Sequence, residues 1–190
     1  CTALERYVVV EEMLAGGAPV GAHWVADRQS GNQILRYGSE RAKQAILPRI
    51  AAGCCFFAIG MSEPDSGSDL ASIRSRAVPL EGGGWRLNGS KIWTSGAHYA
   101  EMGFFLVRTD PEQKGSRGLS MLMVDMTTPG ITVRPIRNLT GEAEFCEVFL
   151  DNVKTHRSNL VGALNGGWSV AKGLLGFERY IAGSPLRSLL

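Results

Sequence analysis

The sequence predicts an α+β protein: an antiparallel β-barrel or sandwich in the middle, flanked by helical segments. Three observations predict it. Between Cys54 and about Thr155, short apolar runs recur, separated by turn-forming Gly, Pro, Asn and Asp. Residues 1–53 carry apolar positions at helical spacing. Residues 167–182 return to that helical pattern before the chain stops at Leu190, as though a longer helical domain continued. The expected division is therefore 1–53 helical, 54–155 β, and 156–190 the start of a second helical part.

The first helix carries Leu4, Val8 and Glu11-Glu12 and is ended by Gly16-Gly17-Ala18-Pro19. A second, with Ile34 and Leu35, is expected to stop at Gly38 in a left-handed C′ position. Ser39 then suits an N-cap for Glu40 to Ile46, and Pro48 marks a break or kink before Gly53. Phe56 to Gly60 has the look of a buried strand. Ile73 to Leu80 alternates loosely, and Trp85 to Trp93 fits a hairpin turning at Asn88-Gly89. Phe104 to Val107, Leu119 to Asp125, Ile131 to Ile136 and Glu147 to Leu150 supply further strands.

Composition narrows the function classes. The chain has 190 residues, 44% hydrophobic and 20% charged, with a net charge of +2. Its Lys and Arg residues are scattered, so no nucleic-acid surface is expected. No apolar run reaches the roughly 18 residues of a membrane span. Cys1, Cys54, Cys55 and Cys146, with His23, His98 and His156, lack metal-ligand spacing, so no metal site is expected. Adjacent Cys54 and Cys55 suit small buried hydrophobes. A reducing cytoplasm is the expected setting, and with no initiator Met the true start is expected upstream.

The common nucleotide signatures are missing: no G-x-G-x-x-G, no nucleophile elbow, and only a near miss to a P-loop at Gly84 to Lys91. The informative stretch is Ser62-Glu63-Pro64-Asp65-Ser66-Gly67-Ser68-Asp69, a strand end entering a turn of short polar side chains. Such a turn either holds a polar ligand on N–H and hydroxyl groups or simply caps a strand. Lys91-Ile92-Trp93-Thr94-Ser95-Gly96 poses the same alternative: Trp93 covers a planar ligand, or it is a core tryptophan.

Gly60 to Ser72 resembles the acyl-CoA dehydrogenase signature, Ser/Thr-Glu-Pro followed by Gly-Ser-Asp. Other landmarks occur in that family's order: Leu47-Pro48 to Gly53, Asn88-Gly89 to Gly96, Glu147 to Val153, Asn159-Leu160-Val161-Gly162, Gly166-Gly167-Trp168 and Glu178-Arg179. The resemblance spans nearly the whole chain. It implies an enzyme with an N-terminal helical domain, a central β-barrel and a C-terminal four-helix bundle, of which this chain carries the middle and is truncated at both ends. FAD is the implied cofactor. Ile59, Met61 and Ser62 match the strand against the flavin ring, and Trp93, Thr94 and Ser95 match the second flavin strand. Ser68 and Arg179 match positions contacting the acyl-CoA. Ile59 stands where relatives often have an aromatic residue, and Gly176 where short-chain relatives often have Asp.

The implied reaction is α,β-dehydrogenation of an acyl-CoA thioester in lipid metabolism, with electrons passing to an electron-transferring flavoprotein. Glu178 is the candidate base within the chain; the alternative is a carboxylate later in the C-terminal bundle. Glu63 is expected to be structural, and His156 a loop substitution. A homo-oligomer, dimer or tetramer, is implied. Two further readings keep the fold: an acyl-CoA oxidase or flavin monooxygenase relative, and a catalytically incomplete fragment or partner subunit.

Overall fold

A computed structural model of the chain describes residues 2–179. Helix α1 spans Ala3–Ala15 and opens on a reciprocal cap: Thr2 Oγ1 accepts from the Glu5 N–H, while the Glu5 carboxylate accepts from the Thr2 N–H. A short 3₁₀ turn, Val20–His23, leads into a π-helical stretch, Trp24–Gly31, and then α2, Asn32–Tyr37. Helix α3 covers Glu40–Ala51, with Ser39 accepting from the Ala42 N–H as its cap.

Two expectations for this region fail. Gly38 is extended, at φ −70° and ψ 155°, not left-handed. Its small size is what matters, since a Cβ there would lie 2.6 Å from the Ile34 carbonyl oxygen. Pro48 does not break α3, which runs three residues further and ends with the Ala52 N–H donating to the Pro48 oxygen. Gly53, at φ 70°, supplies the left-handed exit instead.

Eight strands form one sheet: β1 Phe57–Gly60, β2 Arg76–Pro79, β3 Trp85–Lys91, β4 Met102–Arg108, β5 Leu119–Asp125, β6 Ile131–Ile136, β7 Phe145–Thr155 and β8 Leu160–Val161. Their order is β6-β7-β3-β2-β4-β5-β8, with β1 also on β4. The sheet is mixed, which corrects the purely antiparallel expectation: β1 and β2 both run parallel to β4. The connection after β1 makes no hairpin return, so β1 and β2 run the same way, and β4, entered from the antiparallel β3, joins both in parallel. The Asn88-Gly89 hairpin is also absent, because β3 continues straight through it with a bulge between Leu87 and Gly89. There a Cβ on Gly89 would collide with Ser75, so the glycine serves a close strand crossing.

Alternate residues of β4 and β5 face opposite cores. Phe104, Leu106, Met121 and Met123 join Ala26, Ile34, Ile46, Ile50, Val170 and Leu174 under the helices. Phe105, Val107, Leu122 and Val124 join Leu87, Val148 and Val153, contributed by β3 and β7. Burial on both faces explains why these strands are unbroken apolar runs in sequence. Helix α4, Gly167–Arg179, packs on β5 and the π-helical stretch. Residues 180–182, expected to be helical, lie outside the described residues. Among the described residues, no helix is long and apolar enough to cross a membrane.

Candidate cofactor and thioester site

The turn after β1 is held from within by a buried ion pair. Lys91, the last residue of β3, is fully buried, and its ammonium donates to Glu63 Oε1 at 2.8 Å and to the Met61 carbonyl at 3.0 Å. The Glu63 carboxylate also accepts from the Arg74 N–H at 2.6 Å and the Ser75 N–H at 2.9 Å. Glu63 and Ser66 exchange backbone hydrogen bonds, closing the Glu63-Pro64-Asp65-Ser66 turn. Ser66 Oγ shares a hydrogen bond with Ser72 Oγ at 2.8 Å, tying the turn to the following 3₁₀ segment, Leu70–Ser72. Glu63 is thus structural, as the sequence suggests. Its partner Lys91 is the residue that sequence reasoning missed.

That pair brings the two predicted segments side by side. The Ile92 N–H donates to the Ser62 carbonyl at 3.0 Å. Thr94 and Cys146 exchange backbone bonds at 3.0 and 3.1 Å, anchoring the second segment to the start of β7. Between these anchors, Trp93 takes a left-handed φ of 58°, rare for a bulky residue. Its ring is 57% exposed and meets Phe145 edge-on, at 6.0 Å between centroids. Trp93 is therefore not a core tryptophan. Ile59, Met61, Ser62 and Ser95 are half-buried, the first two packed against the helix-covered core. Thr94 is fully buried, and its Oγ1 has no hydrogen-bond partner.

Ser68 sits on the exposed far limb of the turn. Arg108 fixes that limb from behind, donating to the carbonyls of Ala71, Ile73, Gln113 and Gly115. Glu178 and Arg179 close α4, but their side chains lie outside the described residues. Cys55 and Cys146 are buried, and burial pushes both thiols above their ordinary range. Cys54 is exposed, contrary to expectation. Among the described residues, no cluster of His, Cys, Asp and Glu could hold a metal ion.

The pair has a definite pH signature. Burial pushes the Glu63 carboxyl up, but the Lys91 ammonium and the Arg74 and Ser75 donors outweigh it and leave it below its ordinary 4.5. Burial pulls Lys91 down from 10.5 to about 8, against the attraction of Glu63. Stability contributed by Glu63 is complete above pH 4.5 and is lost as pH falls through its lower folded value. For Lys91, the unfolded chain binds the extra proton between about 8 and 10.5, so its contribution rises with pH across that window. Comparing urea midpoints of the wild type and Glu63→Gln/Lys91→Met isolates both terms. A difference that stayed flat from pH 3 to 10 would contradict the assignment.

Comparison with known proteins places this arrangement. Residues 1–54 match the acyl-CoA dehydrogenase N-terminal domain and residues 58–153 the acyl-CoA dehydrogenase middle domain. Acyl-CoA dehydrogenase FadE34 of Mycobacterium tuberculosis is 44% identical over 163 residues, covering 83% of this chain and 23% of that protein. The Tcur3481-Tcur3483 steroid ACAD superposes with a TM-score of 0.85 at 35% identity, covering 95% of this chain and 46% of that one. A glutaryl-CoA dehydrogenase from Mycobacterium smegmatis, in complex with FADH2, gives a TM-score of 0.70 at 35% identity, over 80% and 38%. The chain spans less than half the length of each of these. Across helices and sheet alike, this chain belongs to the acyl-CoA dehydrogenase family.

Proposed function

We propose that the full-length protein is an FAD-dependent acyl-CoA dehydrogenase. One observation carries the reading: two adjacent strand ends, Met61–Ser62 and Trp93–Ser95, present the half-buried Ser62 and Ser95 hydroxyls and an exposed indole side by side. These groups fit a flat, polar-edged ring such as flavin. Ile59, Met61, Ser62, Trp93, Thr94 and Ser95 would hold it, and Ser68 and Arg179 would meet the CoA ester. Bound FAD supplies the hydride acceptor of the reaction. Glu178 would take the α-proton, and Glu178→Gln is then expected to lower kcat by about 10²-fold or more. An unchanged kcat would assign the base to a carboxylate elsewhere.

The domain division 1–53, 54–155 and 156–190 and closure of the sheet into a barrel belong to this reading. So do a cytoplasmic setting, an electron-transferring flavoprotein as acceptor and a homo-oligomeric assembly. The likeness to a steroid ACAD supports a bulky, ring-bearing acyl group as the substrate class. The test is flavin absorbance of the purified full-length protein, bleached anaerobically on adding such a CoA ester. A colourless protein, or flavin indifferent to every acyl-CoA, sinks the reading. Rapid reoxidation by O₂ with peroxide release would favour an oxidase instead. The isolated 190-residue chain is expected to retain little FAD and to show no turnover.

A further inference from the structure

We infer that Lys91 is a positioning residue for the flavin-facing strand end, acting by gripping and polarising the Met61–Ser62 peptide. The inference rests on the flavin reading above and deepens it. Met61 lies just beyond β1, where the ladder to β4 stops at Gly60, so pairing along β4 no longer fixes this peptide. Its carbonyl is instead held by the Lys91 ammonium at 3.0 Å. The Ser62 N–H of the same peptide finds no backbone acceptor among the described residues. A peptide whose carbonyl accepts from a cation in a dry interior becomes a stronger donor at its N–H.

Lys91 can do this because it is rigid and oriented. Its ammonium sits between the Met61 oxygen and Glu63 Oε1, fully buried. Glu63 is itself clamped by the Arg74 and Ser75 N–H groups, so the pair cannot swing away from Met61. The ammonium is therefore fixed at the carbonyl side of a trans peptide whose Ser62 N–H points the opposite way. Two-electron reduction adds negative charge to a flavin ring. A polarised N–H favours the reduced state over the oxidised one, which raises the reduction potential.

The experiment uses the full-length holoprotein and two variants. Lys91→Met tests the lysine directly but leaves a buried carboxylate, so it serves only if it folds. Glu63→Gln/Lys91→Met removes both charges, while the new amide oxygen can still accept from the backbone donors. In the double variant we expect the FAD dissociation constant to rise about tenfold. We expect the flavin midpoint potential to fall by about 30 mV, the equivalent of tenfold for a two-electron couple. The KM for acyl-CoA should not move. A merely structural pair would lower the melting temperature and leave the potential of the folded holoprotein unchanged, and that result would overturn the inference. A wild type that binds no FAD would defeat the flavin reading itself, a distinct outcome.

Discussion

Replacing Lys91 with Met is expected to cost about 3–5 kcal/mol of folding stability, the penalty for stranding a buried charge. Lys91 is fully buried and is the only cation within salt-bridge reach of the Glu63 carboxylate among the described residues. Without it, Glu63 keeps two backbone donors but loses its counter-charge in a site 8% exposed. Adding Glu63→Gln should recover much of the loss, because the neutral amide tolerates burial and still accepts from Arg74 and Ser75. Glu63→Gln alone should also destabilise, since it strands the ammonium. Urea unfolding of the four proteins closes a double-mutant cycle, and the coupling between the two sites should be strongly favourable. If Lys91→Met unfolded within about 1 kcal/mol of the wild type, water would have to reach the pair and the buried description would be wrong. Arg74 and Asp65 offer a contrast: they are 3.9 Å apart and largely exposed, so breaking them should change little.

Much of this architecture is legible in the sequence because it is written in local chemistry. Ser39 and the Gly16 exit mark helix ends through short-range hydrogen bonds, and the structure has them in place. The apolar runs of β4 and β5 announce burial on two faces. The strand directions were not legible. Nothing in Phe57–Gly60 or Arg76–Pro79 says that both run parallel to β4, since that depends on where a 15-residue connection delivers the chain. Asn88-Gly89 misled for a related reason. A turn dipeptide was used for close strand crossing over Ser75, a tertiary demand that overrides local preference. The Ser62-Glu63-Pro64 turn and the Trp93-Thr94-Ser95 segment were found as motifs, but what joins them was not. Yet one signal was available. In β3, alternation places Leu87 and Lys91 on the inward side, and a lysine at a core position requires a buried acid. Glu63, itself expected to be structural, is that partner.

Phe105→Ala is expected to cost about 3–5 kcal/mol, the range for emptying a buried aromatic site. The reason lies in two glycines as much as in the ring. Gly60 of β1 is in register with Phe105 of β4, and a Cβ at Gly60 would lie 2.5 Å from the ring's Cδ1 and 2.6 Å from its Cε1. A Cβ at Gly103 would fall 2.6 Å from the ring's Cζ and 2.8 Å from Met126 Sδ. The ring therefore lies across two bare backbone segments and fills the space their missing side chains leave. Gly60→Ala should destabilise by overpacking, by about 1–3 kcal/mol. Its added methyl would also press on the Lys91 stem, whose Cγ is 3.1 Å from that position. Combined with Phe105→Ala, the same methyl enters vacated space, so the double variant should lose less than the sum of the singles. Additive losses would mean that the ring and the glycine do not share one volume. Because Gly60 immediately precedes Met61, the comparison also reports on the site. Gly60→Ala should weaken FAD retention in the full-length protein beyond what its stability loss explains, and Phe105→Ala should not, since only the former pushes directly on the residue that holds the Met61 carbonyl.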